Sequence, residues 1–486
     1  MLKLAGYAPD LDQIEFPGSL SECAALVPST KGMKGAPSPV TVGLDALAAA
    51  CQGAAVLINL DNSARFLAGT STTLYDAGTT SWTSRYDASA TPLGATSRWR
   101  FAIQGNIEFA VAKEVALIGS TSGAMSTITK GGKDAPKAGV LATVNEYVFL
   151  GDYDDGTDTP DGVYWSAKDD YTDWTTSITT GCGNKRLYDT PGKITGVMQF
   201  GDGVAVYKKG SVYIGKDNGA PTLWGFFLTP SDEGALCQEV IISTGTNDDP
   251  RHFYMGHSDF WMFDGVKSSR IGTPLKDTVF DEIDRDKQHL SLSLHDRANS
   301  LIYWYYPTTS TNYPNKCVVY NYRTQQWGRD DRIVYAAVNY IAAGDAYSDA
   351  GDYTTYADLP NLPYGSAFPG GNAILPAIFD ENHIVKSLTG AAGSPSLTLI
   401  DIGDDTRLTD LQRVKCRYLN APTSATLVNS YKMNIGDTYT LDQTIGESNS
   451  RFDLFRESRW HKLAINYSGD VELSGLVIDL VPTSDE

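Results

Sequence analysis

The sequence predicts an all-β protein: a six- or seven-bladed β-propeller at 51–390, an extended N-terminal arm at 1–50, and a small β-sandwich-like domain at 391–486. Three observations lead there. With 46 Gly, 27 Tyr and 9 Trp in 486 residues and only 20% of residues charged, the composition favours short strands, tight turns and aromatic packing over amphipathic helices. Short apolar or alternating runs, bounded by Gly, Asn and Asp, recur roughly every 40 to 55 residues, the period of propeller blades. From residue 391 onward the texture changes to runs such as SPSLTLIDIG, RVKCRYLN and WHKLAINYSG, which suit a separate sandwich.

Taken in order, the Pro-, Gly- and Ser-rich start reads as an arm able to close the propeller or reach a neighbour. The first unit is AAVLINL, turn DNS, RFLAG and TTLYDAGTTSW; the second is WRFAI, turn QGN, IEFAV and EVALIGS. The third is GVLATV, turn NE, YVFLG, an acidic loop and VYWSA; the fourth is KITGVMQF, turn GDG, VAVYK, turn KG and SVYIG. The fifth is EVIIST, HFYMG, turn HSD and FWMFDG; the sixth is LSLSL, turn HDRANS, LIYWYY and KCVVYNYRTQQW. A seventh at 331–390 rests on RIVYAAVNYI and PAIFDENHIVKSLTG, and the choice between six and seven stays open. Gly, Asn and Asp stand where tight hairpins need positive φ. One meander cannot bury both its faces, so stacking units around an axis is the economical solution. Two short helices are expected, in LDALAAACQG (44–53) and KDTVFDEIDRDKQ (Lys276 to Gln288).

The start lacks an apolar run long enough for a signal peptide, and no segment approaches the roughly 20 apolar residues of a membrane span, so a soluble chain made in a cytoplasm is expected. Cys23, Cys51, Cys182, Cys237, Cys317 and Cys416 are scattered without a C-x-x-C pair and read as isolated buried thiols. A net charge of −19 argues against a grip on nucleic acid, which needs Lys and Arg at the phosphates. It is compatible with a passage through which DNA slides, because acidic walls repel it.

LYDAGTTSW, from Leu74 to Trp82, approaches the Asp box of sialidase-type propellers, yet Trp82 stands six residues after Asp76 where that motif has five. It has an echo in VYNYRTQQW, which matches Tyr75 with Tyr320, Asp76 with Asn321 and Trp82 with Trp327. Both read as hairpin corners in which aromatics pack and the Asp or Asn holds the turn through its own backbone. The acidic loop at 151–162 carries Asp152, Asp154, Asp155, Asp158 and Asp161. Its spacing is not that of an EF-hand, and it reads as a solvated loop rather than a Ca²⁺ site. His252 and His257 read as strand and turn residues. No nucleophile elbow, H-E-x-x-H helix or phosphate-binding loop is present, and no catalytic, cofactor or metal residue is assigned.

The ordered segments LAGTSTTLYDAGTTSWT, RWRFAIQGN, GVYWSAKDDYTDW, FWMFDGVKSSRIG and CVVYNYRTQQWGR resemble the β-propeller virion proteins of tailed bacteriophages, including tail nozzle or packaged-DNA stabilisation proteins of short-tailed phages. The likeness spans residues 50 to 330 and, more loosely, RWHKLAINYSGDVELSGLVID. It implies a structural, non-enzymatic virion protein, made in the host bacterial cytoplasm and assembled into a ring, commonly a hexamer. That ring would lie below the portal and adaptor, retain the packaged genome and let it pass at ejection without specific DNA binding. The implied partners are further copies of the chain, the head-to-tail adaptor or a portal-proximal tail protein, and a tail fibre or tailspike. KEVALIGSTSGAMSTITK departs from the pattern, and the loops at 307–316 and 341–375 are expected to be partner-specific. One alternative is a receptor-binding or fibre-attachment propeller that recognises a host glycan, with exposed aromatics among Tyr305, Tyr306, Tyr313 and Tyr347. Another is a glycan-cleaving enzyme on the same fold.

Overall fold

A computed structural model describes residues 2–485 except Asn62, Thr222, Asn247 and 342–373. The chain is all-β and propeller-like. Among the described residues, six four-stranded antiparallel sheets follow one another, at 54–87, 100–127, 137–186, 194–228, 241–270 and 336–390, the last completed from the N-terminal segment. A further four-stranded meander, at 292–329, forms one end of a ten-stranded sheet. The hairpins follow from local chemistry. Gly105, Asn145 and Gly201 take φ of 62°, 52° and 56° in the turns read as QGN, NE and GDG, where only Gly or Asn adopts such angles at little cost.

The core is divided among the gaps between successive meanders. Leu67, Leu74 and Trp99 join the first to the second; Val148, Leu150 and Phe109 join the second to the third; Phe149, Trp165 and Trp224 join the third to the fourth. Phe66 and Ala68 of the first pack with Ala336, Ala377 and Phe379 of the last, so the series returns to its start. The first strand of each meander lies innermost, and Ala336–Ile341 contacts Ala54–Ile58.

The arm at 1–50 is built into this body. Ser38–Thr41 is the outer strand of the last sheet, pairing Val40 with Ser387 and Thr41 with Lys386. Leu26–Pro28 pairs with Arg329 at the edge of the 292–329 meander and with Met33–Gly35, which in turn pairs with Glu472–Asp485. Arg407–Asn420 and Arg451–Ser458 extend the same sheet. A five-stranded sheet, ordered Glu22–Ala24, Ser396–Gly403, Trp460–Ser468, Ser424–Lys432 and Thr440–Gly446, faces it. Leu397, Leu411, Val414, Phe452, Leu463 and Leu476 fill the space between the two sheets and belong to the same core as Tyr254, Trp261 and Trp304 of the meanders. Asp10, also in the arm, caps the short helix Lys276–Glu282 by accepting from the Asp277 and Thr278 amides at 2.7 and 3.1 Å.

The expected helix at 44–53 does not form. That segment links Ser38–Thr41 to Ala54–Ile58 across the sheet ends, and its backbone bonds outward, from Asp45 to Thr80, Leu47 to His383 and Gln52 to Gly69. Leu44, Leu47 and Cys51 still bury themselves, against Phe66 and Phe379, from an irregular chain. The second helix stops at Glu282 rather than reaching Gln288, because Ile283 leaves the helix to bridge Thr308 and is buried.

The two echoing corners also differ. Asn321 holds its turn as expected, accepting from the amides of Arg323 and Thr324 at 2.9 and 3.1 Å. Asp76 does not: its carboxylate lies 2.8 Å from Arg65 and 3.0 Å from Arg85. The register explains the difference. Asn321 faces Gln326 and closes its hairpin, whereas the first hairpin closes one residue later, at Ala77 facing Trp82, which leaves Asp76 inside the strand opposite Thr83.

Candidate functional site

The segments entering the innermost strands converge at one end of the propeller-like body. Residues just before Arg100–Gln104, Ile194–Phe200 and Leu292–Asp296 bring Arg98, Lys193 and His289 together there. Two adjoining pockets result. One, of about 690 Å³, is lined by residues including Cys51, Leu93, Arg98, His289, Tyr313 and Tyr335. The other, of about 340 Å³, adds Arg100, Lys113, Asp152, Asp158 and Lys193 and shares Thr96, Ser97, Arg98 and His289 with the first.

Polar contacts also tie the innermost strands to the segment that enters Ile241–Gly245. Arg100 Nε lies 2.8 Å from Glu239 Oε1. The Gln238 side chain accepts from Leu141 N at 3.3 Å and donates to Leu141 O at 2.7 Å.

Lys113 donates to Asp152 Oδ1 at 2.6 Å and Asp158 Oδ1 at 2.8 Å, joining the second meander to the third. The aim of Asp152 is local: it sits at φ 52° on a bulge between Gly151 and Tyr153, which turns its carboxylate toward the pocket. Gly139 makes room for it, since a Cβ there would lie 2.6 Å from Asp152 Oδ2. Burial raises the Asp152 carboxyl above the usual range, with Lys113 pulling it back. Burial opposes the charge of Lys113, but its bonds to Asp152 and Asp158 outweigh that and hold it above the ordinary lysine value.

Arg98 is only 7% exposed. Its terminal nitrogens donate to Tyr335 O at 3.4 Å and Leu290 O at 3.1 Å, and its Nε has no partner among the described residues. Burial lowers its pKa, against the pull of nearby Glu239. His289 is also held below the usual imidazole range, by burial and then by Arg98.

The residues singled out in the sequence are dispersed. Of the acidic loop, Asp152 and Asp158 belong to this site through Lys113, so the loop is not simply solvated. Asp161 instead pairs with Arg186 at 2.8 Å, and Asp154 accepts from the Gly156 amide. Among the described residues no group of three or more His, Cys, Asp or Glu is placed to hold a metal ion. His252 is buried in Pro250–Met255, with Nδ1 2.8 Å from the Tyr207 hydroxyl, and His257 lies in the following turn. Tyr305 and Tyr306 are fully buried, Tyr313 is 38% exposed at the larger pocket, and Tyr347 lies outside the described residues. All six cysteines are buried and unpaired. Arg98, Arg100, Lys113 and Glu239 escaped sequence reasoning; the visible signal was the Arg-Trp-Arg run immediately before an innermost strand.

No protein-family model matches this chain, and no curated protein matches it. Among solved structures, it is similar to YCF48 bound to D1 peptide, at 11% identity and TM-score 0.39, over 75% of this chain and 97% of that one. A chain of the mitotic checkpoint complex gives 8% identity and TM-score 0.40 over 72% and 94%. An exo-beta-1,3-galactanase from Phanerochaete chrysosporium gives 9% and 0.27 over 91% and 100%. At such scores none of these likenesses bears on what the chain does.

Proposed function

We propose that this chain is a structural virion protein of a bacteriophage tail, a subunit of the distal tube or nozzle ring that continues the DNA channel below the portal and adaptor. In this reading the seven successive meanders are seven blades, and Ser38–Thr41 is the strand that closes the last of them. The observation that carries the proposal is the ten-stranded sheet joining the 292–329 meander, through Leu26–Pro28 and Met33–Gly35, to the C-terminal sandwich. A subunit of a tail ring must hold neighbours on two different surfaces, because contacts in a cyclic ring are heterologous. Shared strands fix those surfaces relative to one another. The ordered segments that resemble phage tail proteins support the same reading, as does the net charge of −19, which would line a ring with a wall that repels DNA.

A glycan-cleaving enzyme is less well supported. Its acid and its base or nucleophile are a pair of carboxylates flanking the scissile bond. Asp152, Asp158 and Glu239 at the hub are each engaged by Lys113 or Arg100.

Electron microscopy of the purified protein, alone and mixed with its virion's adaptor, tests the proposal. The expected result is a ring with a central pore and a predominantly acidic lumen. A monomer that neither forms a ring nor docks on the tail overturns it.

A further inference from the structure

We infer that the larger hub pocket binds a hexuronate unit of a polysaccharide, a binding activity that goes beyond assembly into a tail. Charge bookkeeping at the hub singles out one cation. Lys113 and the largely exposed Lys193 are matched by Asp152 and Asp158, and Arg100 by Glu239. Arg98 stands between the two pockets with carbonyl partners only, and none of the described carboxylates forms an ion pair with it. A buried guanidinium with no carboxylate at ion-pair distance, whose nearby Glu239 is already bound to Arg100, favours an anionic ligand, because the low-dielectric surroundings strengthen the attraction. One such cation, with its two terminal nitrogens already donating to carbonyls, suits a singly charged carboxylate better than a phosphate.

The rest of the pocket has the chemistry of a sugar site. Tyr313, 38% exposed, packs on Tyr335 with ring centroids 4.2 Å apart and offers an aromatic surface to the apolar face of a pyranose. Ser71, Thr96 and Asn312 line the same cavity with hydroxyl and amide groups. Gln52, also in the wall, has a buried Oε1 without a partner, although its Nε2 donates to Gly94 O at 3.0 Å. A volume of about 690 Å³ lies within the usual range for a small-ligand site. A peptide C-terminus would also offer a carboxylate, but it makes less use of a flat aromatic beside hydroxyls and an amide.

The test is calorimetric titration of the full-length protein with a hexasaccharide alternating glucuronic acid and N-acetylglucosamine. A neutral N-acetylglucosamine hexasaccharide and a short peptide with a free C-terminal carboxylate serve as comparators. Binding of the acidic sugar is expected at least tenfold tighter than either comparator, falling about tenfold in Tyr313→Ala and about tenfold in Arg98→Lys. Tyr313→Ala changes a partly exposed ring, so its folding can be checked independently by its thermal transition. Absence of binding by the acidic hexasaccharide, equal binding of the neutral one, tighter binding of the peptide, or full binding by a folded Tyr313→Ala would each overturn the inference. Ring formation is read by microscopy on the same samples, so failure here and failure of the tail proposal are distinct.

Discussion

Lys113 Nζ sits 2.6 Å from Asp152 Oδ1, and this ion pair ties the second meander to the third at the hub. Asp152 is 6% exposed, while a third of the Lys113 side chain reaches solvent. Removing the lysine leaves a nearly buried carboxylate whose remaining cation, Lys193, is 3.8 Å away and itself largely exposed.

Lys113→Ala is therefore expected to destabilise the fold by about 2 kcal/mol near neutral pH, below the full cost of breaking a buried pair because solvent partly screens the lysine. The Asp152 pKa is already raised in the folded state, chiefly by burial, so its burial penalty is absent at low pH and appears as pH rises through that raised value. Losing Lys113 raises it further. The deficit of the variant should thus shrink on acidification toward about pH 4, where carboxylates protonate. Urea titrations of both proteins across that range check the size and the sign.

Asp76 and Asn321 occupy matching places in the two hairpin corners but do different work. Asp76→Ala should cost about 2 kcal/mol, because Arg85, whose side chain is 3% exposed, loses one of two carboxylate partners. Asn321→Ala removes two bonds to its own turn and should cost about 1 kcal/mol. Calorimetric melting of the two variants separates these, and equal losses would return Asp76 to the role of a turn residue.

His252, His295 and His461 are each held down to about 4, in every case chiefly by burial. The neutral rings fit the fold and the charged rings do not. His252 shows why: its Nε2–H donates to Gln199 O at 3.0 Å, which leaves Nδ1 to accept from the Tyr207 hydroxyl. The folded pKa lies below the unfolded value near 6.5, so stability present above pH 6.5 falls as pH drops toward 4. The expected slope is about 1 kcal/mol per pH unit for each histidine. NMR titration of the imidazole resonances should show the three rings still neutral at pH 5.5 in the folded protein, and protonation of them near pH 6.5 would contradict the burial of neutral rings.

Gly18 has φ of 92°, and a Cβ there would lie 2.2 Å from Lys3 O. Gly18→Ala combines a backbone conformation hostile to side chains with a backbone clash, so a loss of about 2 kcal/mol or more is expected. Because the arm shares sheets with both parts of the chain, a single thermal transition should move down intact rather than split in two.

Much of the fold was legible because it is local. AAVLINL, KITGVMQF and LIYWYY alternate or run apolar for a strand's length, and Gly105, Asn145 and Gly201 announce the turns between them. The helix expected at 44–53 failed for the opposite reason: Leu44, Leu47 and Cys51 carry a helix-like spacing, but the span between two sheets demanded another path. The site was mostly hidden. Lys113 and Asp152 are 39 residues apart, and nothing in either neighbourhood names the other. Arg98 reaches carbonyls 192 and 237 residues away.

By itself, then, the sequence determined the β class, the succession of meanders and their turns, since strand periodicity and positive-φ residues act over a few positions. Tertiary structure alone decided that Ser38–Thr41 belongs to the last sheet, that Leu26–Gly35 joins the meanders to the C-terminal sandwich, and that Arg98 bonds to carbonyls rather than to a carboxylate at the hub. Those outcomes depend on which strand edges and charges meet across hundreds of residues. Backbone edges carry the same N–H and C=O groups whatever their sequence, so the partner is chosen by the packing of the whole chain.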